Sequence, residues 1–321
     1  MLLDFTFLLS AFIKTLHLFF NKKPFDFVIT VAPSFHFGLL GVLSKRLWKS
    51  KFVYHIQDMQ IEAARDLNII KYNKVIDYLF KIERYIFDNA DIVSSISSSM
   101  VHKIQNKANK EVIFFPNWAD IKSFHPIEDK LKLKSEFGFS KADIIILYSG
   151  AIGEKQGLES IVYLAKEFIL QSQLKFIICG SGPYKQQLLD LAASMNIHNI
   201  RFFPIQPIEK FNRFLNMADV HLVIQKSHAG DLVMPSKLVT ILAIGGLALI
   251  TADEASGLYS LIKEHNMGLL VKADNQQALF SGIQKAISED NCVITKNART
   301  YAENHLSIDS VMETFINDVS L

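Results

Sequence analysis

Residues 143–183 read DIIILYSGAIGEKQGLESIVYLAKEFILQSQLKFIICGSGP, and this stretch decides the fold. An unbroken apolar run (143–148) leads into a glycine-punctuated turn and then the helical pattern LESIVYLAKEF. A second apolar run (174–179) ends on a second glycine turn. Apolar runs of this length, separated by helices, mark strands of a parallel sheet covered on both faces. The same alternation continues at 200–203, 219–224 and 247–251. It also runs backwards through 26–32, 51–56, 90–94 and 111–115, with a long helical pattern at 73–90. Between the two series lies the less regular NWADIKSFHPIEDK after Pro116. The expectation is an α/β chain of two doubly wound Rossmann-like domains facing a cleft, joined near residues 116–130. No repeat of solenoid length is visible. The first series has only four strands and opens on a helix, with no strand and glycine turn ahead of it. The first domain is therefore read either as small or, slightly preferred, as incomplete, lacking one or more βα units.

The composition agrees with two packed cores. The chain has 321 residues, half of them apolar and 21% charged, which excludes a disordered or low-complexity protein. A net charge of +2 gives no argument for nucleic acid as a partner. Residues 1–125 carry +5 and residues 126–321 carry −3. Two cysteines cannot build a disulfide framework or a cysteine zinc site, so a reducing cytoplasm is the expected compartment. The opening MLLDFTFLLSAFIKTLHLFF is interrupted by Asp4, Lys14 and His17 before it could span a membrane. It reads as a core helix, or as a helix on a membrane surface with Lys14, Lys22 and Lys23 near anionic headgroups.

Four segments could carry chemistry. Tyr148–Gly157 places Gly150, Gly153 and Gly157 at a strand's end, where backbone amides can approach a diphosphate and Lys155 can neutralise it. The spacing is not that of a P-loop, and taken alone the segment is an ordinary βα turn with a solvated lysine. Gly180 and Gly182 in CGSGP form a second turn of the same kind. In DLVMPSKLVTILAIGG (231–246), Pro235 suits the first helical position and leaves the Ser236 and Lys237 amides free. With the helix dipole and the Lys237 ammonium, that makes an anion site. Asp231 could cap this helix or bind sugar hydroxyls, and Lys237 could equally be a plain helix-face lysine. His55 and Asp58, in HIQD at the end of the 51–56 strand, would face the interdomain cleft.

Taken together and in this order, these motifs resemble family-four retaining glycosyltransferases of GT-B fold. Within that family, YSGAIGEKQG, DLVMPSKL and HIQD resemble bacterial (WbuB-like) transferases of fucose or N-acetylfucosamine in colanic-acid and O-antigen synthesis. FFPNWAD, CGSGP and NARTYAENHLS extend the similarity from about residue 25 to the end. The resemblance implies an acceptor-side domain at 1–122, a nucleotide-sugar domain at 123–306 and a helix at 307–321 crossing back to the first domain. It implies transfer of a sugar from a UDP- or GDP-sugar to a lipid-linked saccharide with retention, usually without a metal, at the inner face of the plasma membrane. His55, Asp58, Lys155 and Lys237 would be the catalytic groups. Gly150, Gly153, Gly157, Gly180, Gly182, Asp231, Ser236 and Thr240 would bind the donor. The chain departs from the family pattern at Ala151, where many members have arginine, and at Gln156, which aligns with the family's lysine. Leu232 and Thr240 stand where two glutamates are usual, and Thr240 cannot chelate a ribose diol as a carboxylate does. If the first domain is truncated, the chain would be an inactive nucleotide-binding remnant. Sugar-nucleotide epimerisation is a weaker reading, and the missing G-x-G-x-x-G disfavours an NAD-dependent dehydrogenase.

Overall fold

The computed structural model describes residues 2–21, 25–66, 72–225 and 235–320. Asp231, Lys22 and Lys23 lie outside the described residues, as does the Lys155 side chain. The chain divides into two compact units, residues 1–116 with 314–321 and residues 117–313.

The first unit runs α1 (Leu2–Asn21), β1 (Phe27–Ala32), α2 (Gly38–Trp48), β2 (Lys51–Ile56), α3 (Gln60–Asp66), α4 (Asn73–Asn89), β3 (Ile92–Ser95), α5 (Ser98–Ala108) and β4 (Val112–Phe114). Its four strands are parallel in the order β1-β2-β3-β4. Phe52, Val53, Tyr54 and Val93 are buried on both faces of the sheet, as the uninterrupted apolar runs require. The edge strand β1 differs. Phe27, Ile29 and Val31 alternate outward and are 42–50% exposed, and Lys51 Nζ stands 5.7 Å from the Phe27 ring centroid. Helix α1 forms, but the core-helix reading needs correction. Phe7 packs on Phe37 and Phe19 on Trp48, while Phe12, Ile13 and Phe20 stay exposed. The reason lies in the helix itself: apolar residues run all round it, and packing against α2 can cover only one side. No helix among the described residues is long and apolar enough to cross a membrane.

The second unit runs α6 (Lys130–Glu136), β5 (Ile144–Ser149), α7 (Glu159–Glu167), β6 (Leu174–Cys179), α8 (Lys185–Ser194), β7 (Ile200–Phe203), α9 (Ile208–Asn216), β8 (Val220–Val223), α10 (Ser236–Ala243), β9 (Ala248–Thr251), α11 (Gly257–His265), β10 (Leu269–Val271), α12 (Gln276–Ser288), α13 (Cys292–Tyr301) and α14 (Ile308–Ser320). Its six parallel strands lie in the order β10-β9-β8-β5-β6-β7. Strand β10 was not expected from the sequence, because three apolar residues after Met267-Gly268 are too short to register as a run. On one face α7, α8 and α12 bury Leu158, Phe168, Leu188 and Ile283. On the other, α10, α11 and α13 bury Leu238, Leu242, Ile262 and Ala298. Helix α14 begins in the second unit and ends in the first, where Phe315 stacks on Phe115 at 4.0 Å between centroids.

This topology fixes where a ligand can sit. From β5 the chain winds through β6 to β7, then returns to the opposite side as β8. The order therefore reverses between β5 and β8. Ligands of open α/β sheets bind beyond the carboxyl ends of the strands at such a reversal.

Candidate functional site

The loop after β5 and helix α10, which follows β8, meet at this reversal. Tyr148 is fully buried, and its hydroxyl donates to the Ala151 carbonyl at 2.7 Å, which pins the turn. Lys237 Nζ lies 3.8 Å from the centroid of the Tyr148 ring, so the ammonium rests on an aromatic face. A Cβ on Gly150 would stand 2.9 Å from Lys237 Nζ, so the lysine's end lies close against this glycine. Burial lowers the Lys237 pKa from its ordinary 10.5 to about 7.

Helix α10 begins at Ser236, and its N-cap, Pro235, supplies no side-chain acceptor. Among the described residues its first-turn amides have no side-chain cap, and they point with the positive end of the dipole. Ser236 is exposed and Lys237 half-buried. Thr240, one turn further on, is half-buried on the same side as Ser236.

The two glycine turns lock together rather than standing as separate cradles. Ile152 N donates to the Ser181 carbonyl at 2.9 Å, and Tyr184 N donates to the Ile152 carbonyl at 3.2 Å. A Cβ on Gly180 would overlap the Gly150 carbonyl oxygen, and one on Gly182 would overlap that of Ile152. Gly180 and Gly182 therefore hold the Gly150 turn in place. Glu154–Gln156 form a single 3₁₀ turn between Gly153 and Gly157, and Gly157 takes the left-handed conformation at φ 67°. Gln156 folds back on this turn, its Oε1 accepting from Gly153 N at 3.1 Å.

His55 and Asp58 belong to the first unit. His55 is buried near the end of β2, with its ring edge-on to Phe115 at 5.1 Å. Gln57 Nε2 donates to His55 Nε2 at 3.2 Å, so the neutral ring carries its proton on Nδ1 and donates it to Ser94 Oγ at 3.0 Å. Burial lowers the His55 pKa to about 4. The unfolded chain then binds more protons than the native one between about pH 6.5 and 4, so His55 removes stability as pH falls through that window. The expected NMR result is an imidazole resonance of His55 that stays put from pH 8 to 5.

Tyr148 is a site residue to which the sequence gives no role of its own. In sequence it is one more apolar strand position, and only its place next to Lys237 gives it a role. Among the described residues no group of three His, Cys, Asp or Glu side chains is placed to hold a metal ion.

The profile of the glycosyl transferases group 1 family matches residues 129–305. WcaI of Escherichia coli (strain K12), described as a glycosyl transferase of colanic acid biosynthesis, is 38% identical over 307 residues, covering 92% of this chain and 74% of WcaI. Two solved structures share the fold at low identity. HepE of Anabaena, in complex with UDP and glucose, aligns with a TM-score of 0.74 at 14% identity, covering 92% of this chain and 78% of HepE. Sucrose-phosphate synthase of Thermosynechococcus elongatus aligns with a TM-score of 0.71 at 16% identity, covering 92% and 74%. With two parallel Rossmann-like sheets of GT-B type and a family match across its second unit, this chain belongs to the glycosyl transferases group 1 family.

Proposed function

We propose that the protein transfers a sugar from a UDP- or GDP-sugar to a lipid-linked saccharide in surface polysaccharide synthesis, with retention of anomeric configuration and without a metal. The observation that carries this reading is Lys237 on the Tyr148 ring beside Gly150, next to the first turn of α10, where the N-cap Pro235 offers no side-chain acceptor. An ammonium and helix-tip amides converging on one spot suit the diphosphate that departs when the glycosidic bond breaks. The role described for WcaI supports the polysaccharide setting, and the UDP in HepE supports the class of donor. In this reading Gly150, Gly153 and Gly157 line the donor turn, with Gly180 and Gly182 behind it. Ser236 offers an amide to the diphosphate, Thr240 a hydroxyl to the nucleoside, and Lys155 a second positive charge. His55 would hydrogen-bond the transferred sugar through Nε2 once Gln57 turns away from that nitrogen, with Asp58 nearby in sequence. The exposed apolar side of α1 supports peripheral membrane contact on the acceptor side.

A second reading is a protein that binds the nucleotide without turnover. It is favoured by the outward apolar row Phe27, Ile29 and Val31 on β1, since strands of parallel sheets are ordinarily covered on both faces. A panel of UDP- and GDP-sugars with a lipid-linked acceptor separates the two. Nucleotide release with one donor, and an axial or equatorial product linkage matching that donor, is the expected result. Calorimetric binding of UDP or GDP without release selects the second reading, and absence of both rejects both.

A further inference from the structure

Helix α10 has only eight residues, about 12 Å of rise, so its two ends move together. Whatever fixes its carboxyl end also sets where Lys237 and the first-turn amides stand. That end closes through Gly245, left-handed at φ 62°. Gly245 N donates to the Leu242 carbonyl at 3.0 Å and Gly246 N to the Ile241 carbonyl at 2.9 Å. The carbonyl of Ala243, a fully buried residue, takes a different donor: it accepts from Nη1 of Arg299 in α13.

This guanidinium joins three parts of the second unit that are far apart in sequence. Its Nη1 also donates to the Phe124 carbonyl at 3.0 Å, and Nη2 stands 3.5 Å from that of Ile121, both in the segment leading into α6. Its Nε donates to Glu303 Oε1 at 2.7 Å, which fixes the plane of the fork. The segment it grips is anchored in its own right. Ala119 N donates to the Leu306 carbonyl at 2.7 Å, and the Phe124 ring lies edge-on to Phe211 at 5.9 Å. A cation at the carboxyl end of α10 also meets the negative end of the helix dipole. Lysine would put a point charge where arginine places a planar fork, so the two are not equivalent here.

From this arrangement we infer that Arg299 is a positioning residue of the donor site: by tying the carboxyl end of α10 to residues 121–124, it holds the other end of the helix against Tyr148. Ala243 and Lys237 are about 9 Å apart along the helix, so Arg299 acts through α10 and not on the diphosphate itself. The inference rests on the donor reading and adds to it the group that keeps α10 in place.

Calorimetry of UDP and GDP binding to the full chain, run as a double-mutant cycle, tests it. Arg299→Ala is expected to weaken binding roughly five- to tenfold, the loss of about one well-placed interaction. Arg299→Lys keeps the charge and should recover part of that loss. In a Lys237→Met background, Arg299→Ala should cost less than about twofold, because the charge it positions is gone. A role in stability alone gives equal losses in both backgrounds. Arg213→Ala, which removes an exposed ion pair with Glu136, is the control and should leave affinity unchanged. If Arg299→Ala does not fold, Arg299→Lys carries the same cycle with a smaller first step. Wild-type binding that the Arg299 variants leave unchanged overturns the inference alone, as do equal losses in both backgrounds. No binding of either nucleotide to the wild type overturns the donor reading, and this inference with it.

Discussion

Lys237→Met should lower turnover with the cognate donor roughly 10²–10³-fold, the usual loss when one preorganised charge-stabilising group is removed from a site. Methionine keeps most of the volume against Tyr148, so the melting temperature should barely change, which separates loss of charge from loss of packing. The pH dependence gives the sharper signature. With its pKa lowered to about 7, Lys237 is half neutral in the free protein at neutral pH. A bound diphosphate favours the ammonium, so binding above pH 7 must draw in a proton. UDP or GDP affinity should therefore fall as pH rises from 7 to 9, by at most tenfold per unit, a window above the phosphate's own titration near 6. Calorimetry in two buffers of different ionisation enthalpy should register that uptake in the wild type and none in Lys237→Met. The sign for stability is opposite. Between 7 and 10.5 the unfolded lysine binds more protons than the native one, so the ligand-free protein gains stability from this group as pH rises. An affinity independent of pH in that window would sink the assignment of Lys237 to the diphosphate.

Gly180→Val should be the most damaging substitution outside the hydrophobic cores. Its first added carbon already overlaps the Gly150 carbonyl oxygen, and the neighbour is backbone, which cannot rotate away. The turn at Gly150 must shift, carrying with it the contact to Lys237. A stability loss of about 1–3 kcal/mol is expected from such overpacking, read as a lower urea midpoint, together with loss of measurable nucleotide binding. Gly138 is a useful control. It has φ 77° and open space where a Cβ would go, so Gly138→Ala strains only the local backbone and should leave nucleotide binding intact. If Gly180→Val binds nucleotide as the wild type does, the interlocked turns are not what shapes the donor groove.

The strands at 51–56, 174–179 and 200–203 fall where their apolar runs lie, and the long helix begins at Asn73 as its pattern does. Burial on both faces of a parallel sheet forces an unbroken apolar run, so the strand is written in consecutive residues. The same logic fails for β10, whose three residues are too few to stand out from the helices on either side. It fails differently for α1. An apolar helix is legible, but which side of it meets the protein depends on α2, and periodicity is uninformative when apolar residues surround the axis.

What the chain determined by itself is therefore local and repetitive: alternating strands and helices, glycine turns after β5 and β6, a proline opening α10, and the order of motifs that marks its family. What only the tertiary structure decided is which of these pieces meet. Lys237 lies on Tyr148 because β5 and β8 are neighbours at the reversal of strand order, a pairing between segments far apart in the chain. Gly180 and Gly182 turn out to brace the neighbouring turn, Gln156 folds back on its own loop, and Arg299 ties the end of α10 to residues 121–124. Each outcome depends on close packing between distant residues, and a one-dimensional pattern holds no distances between segments that only the folded sheet brings together.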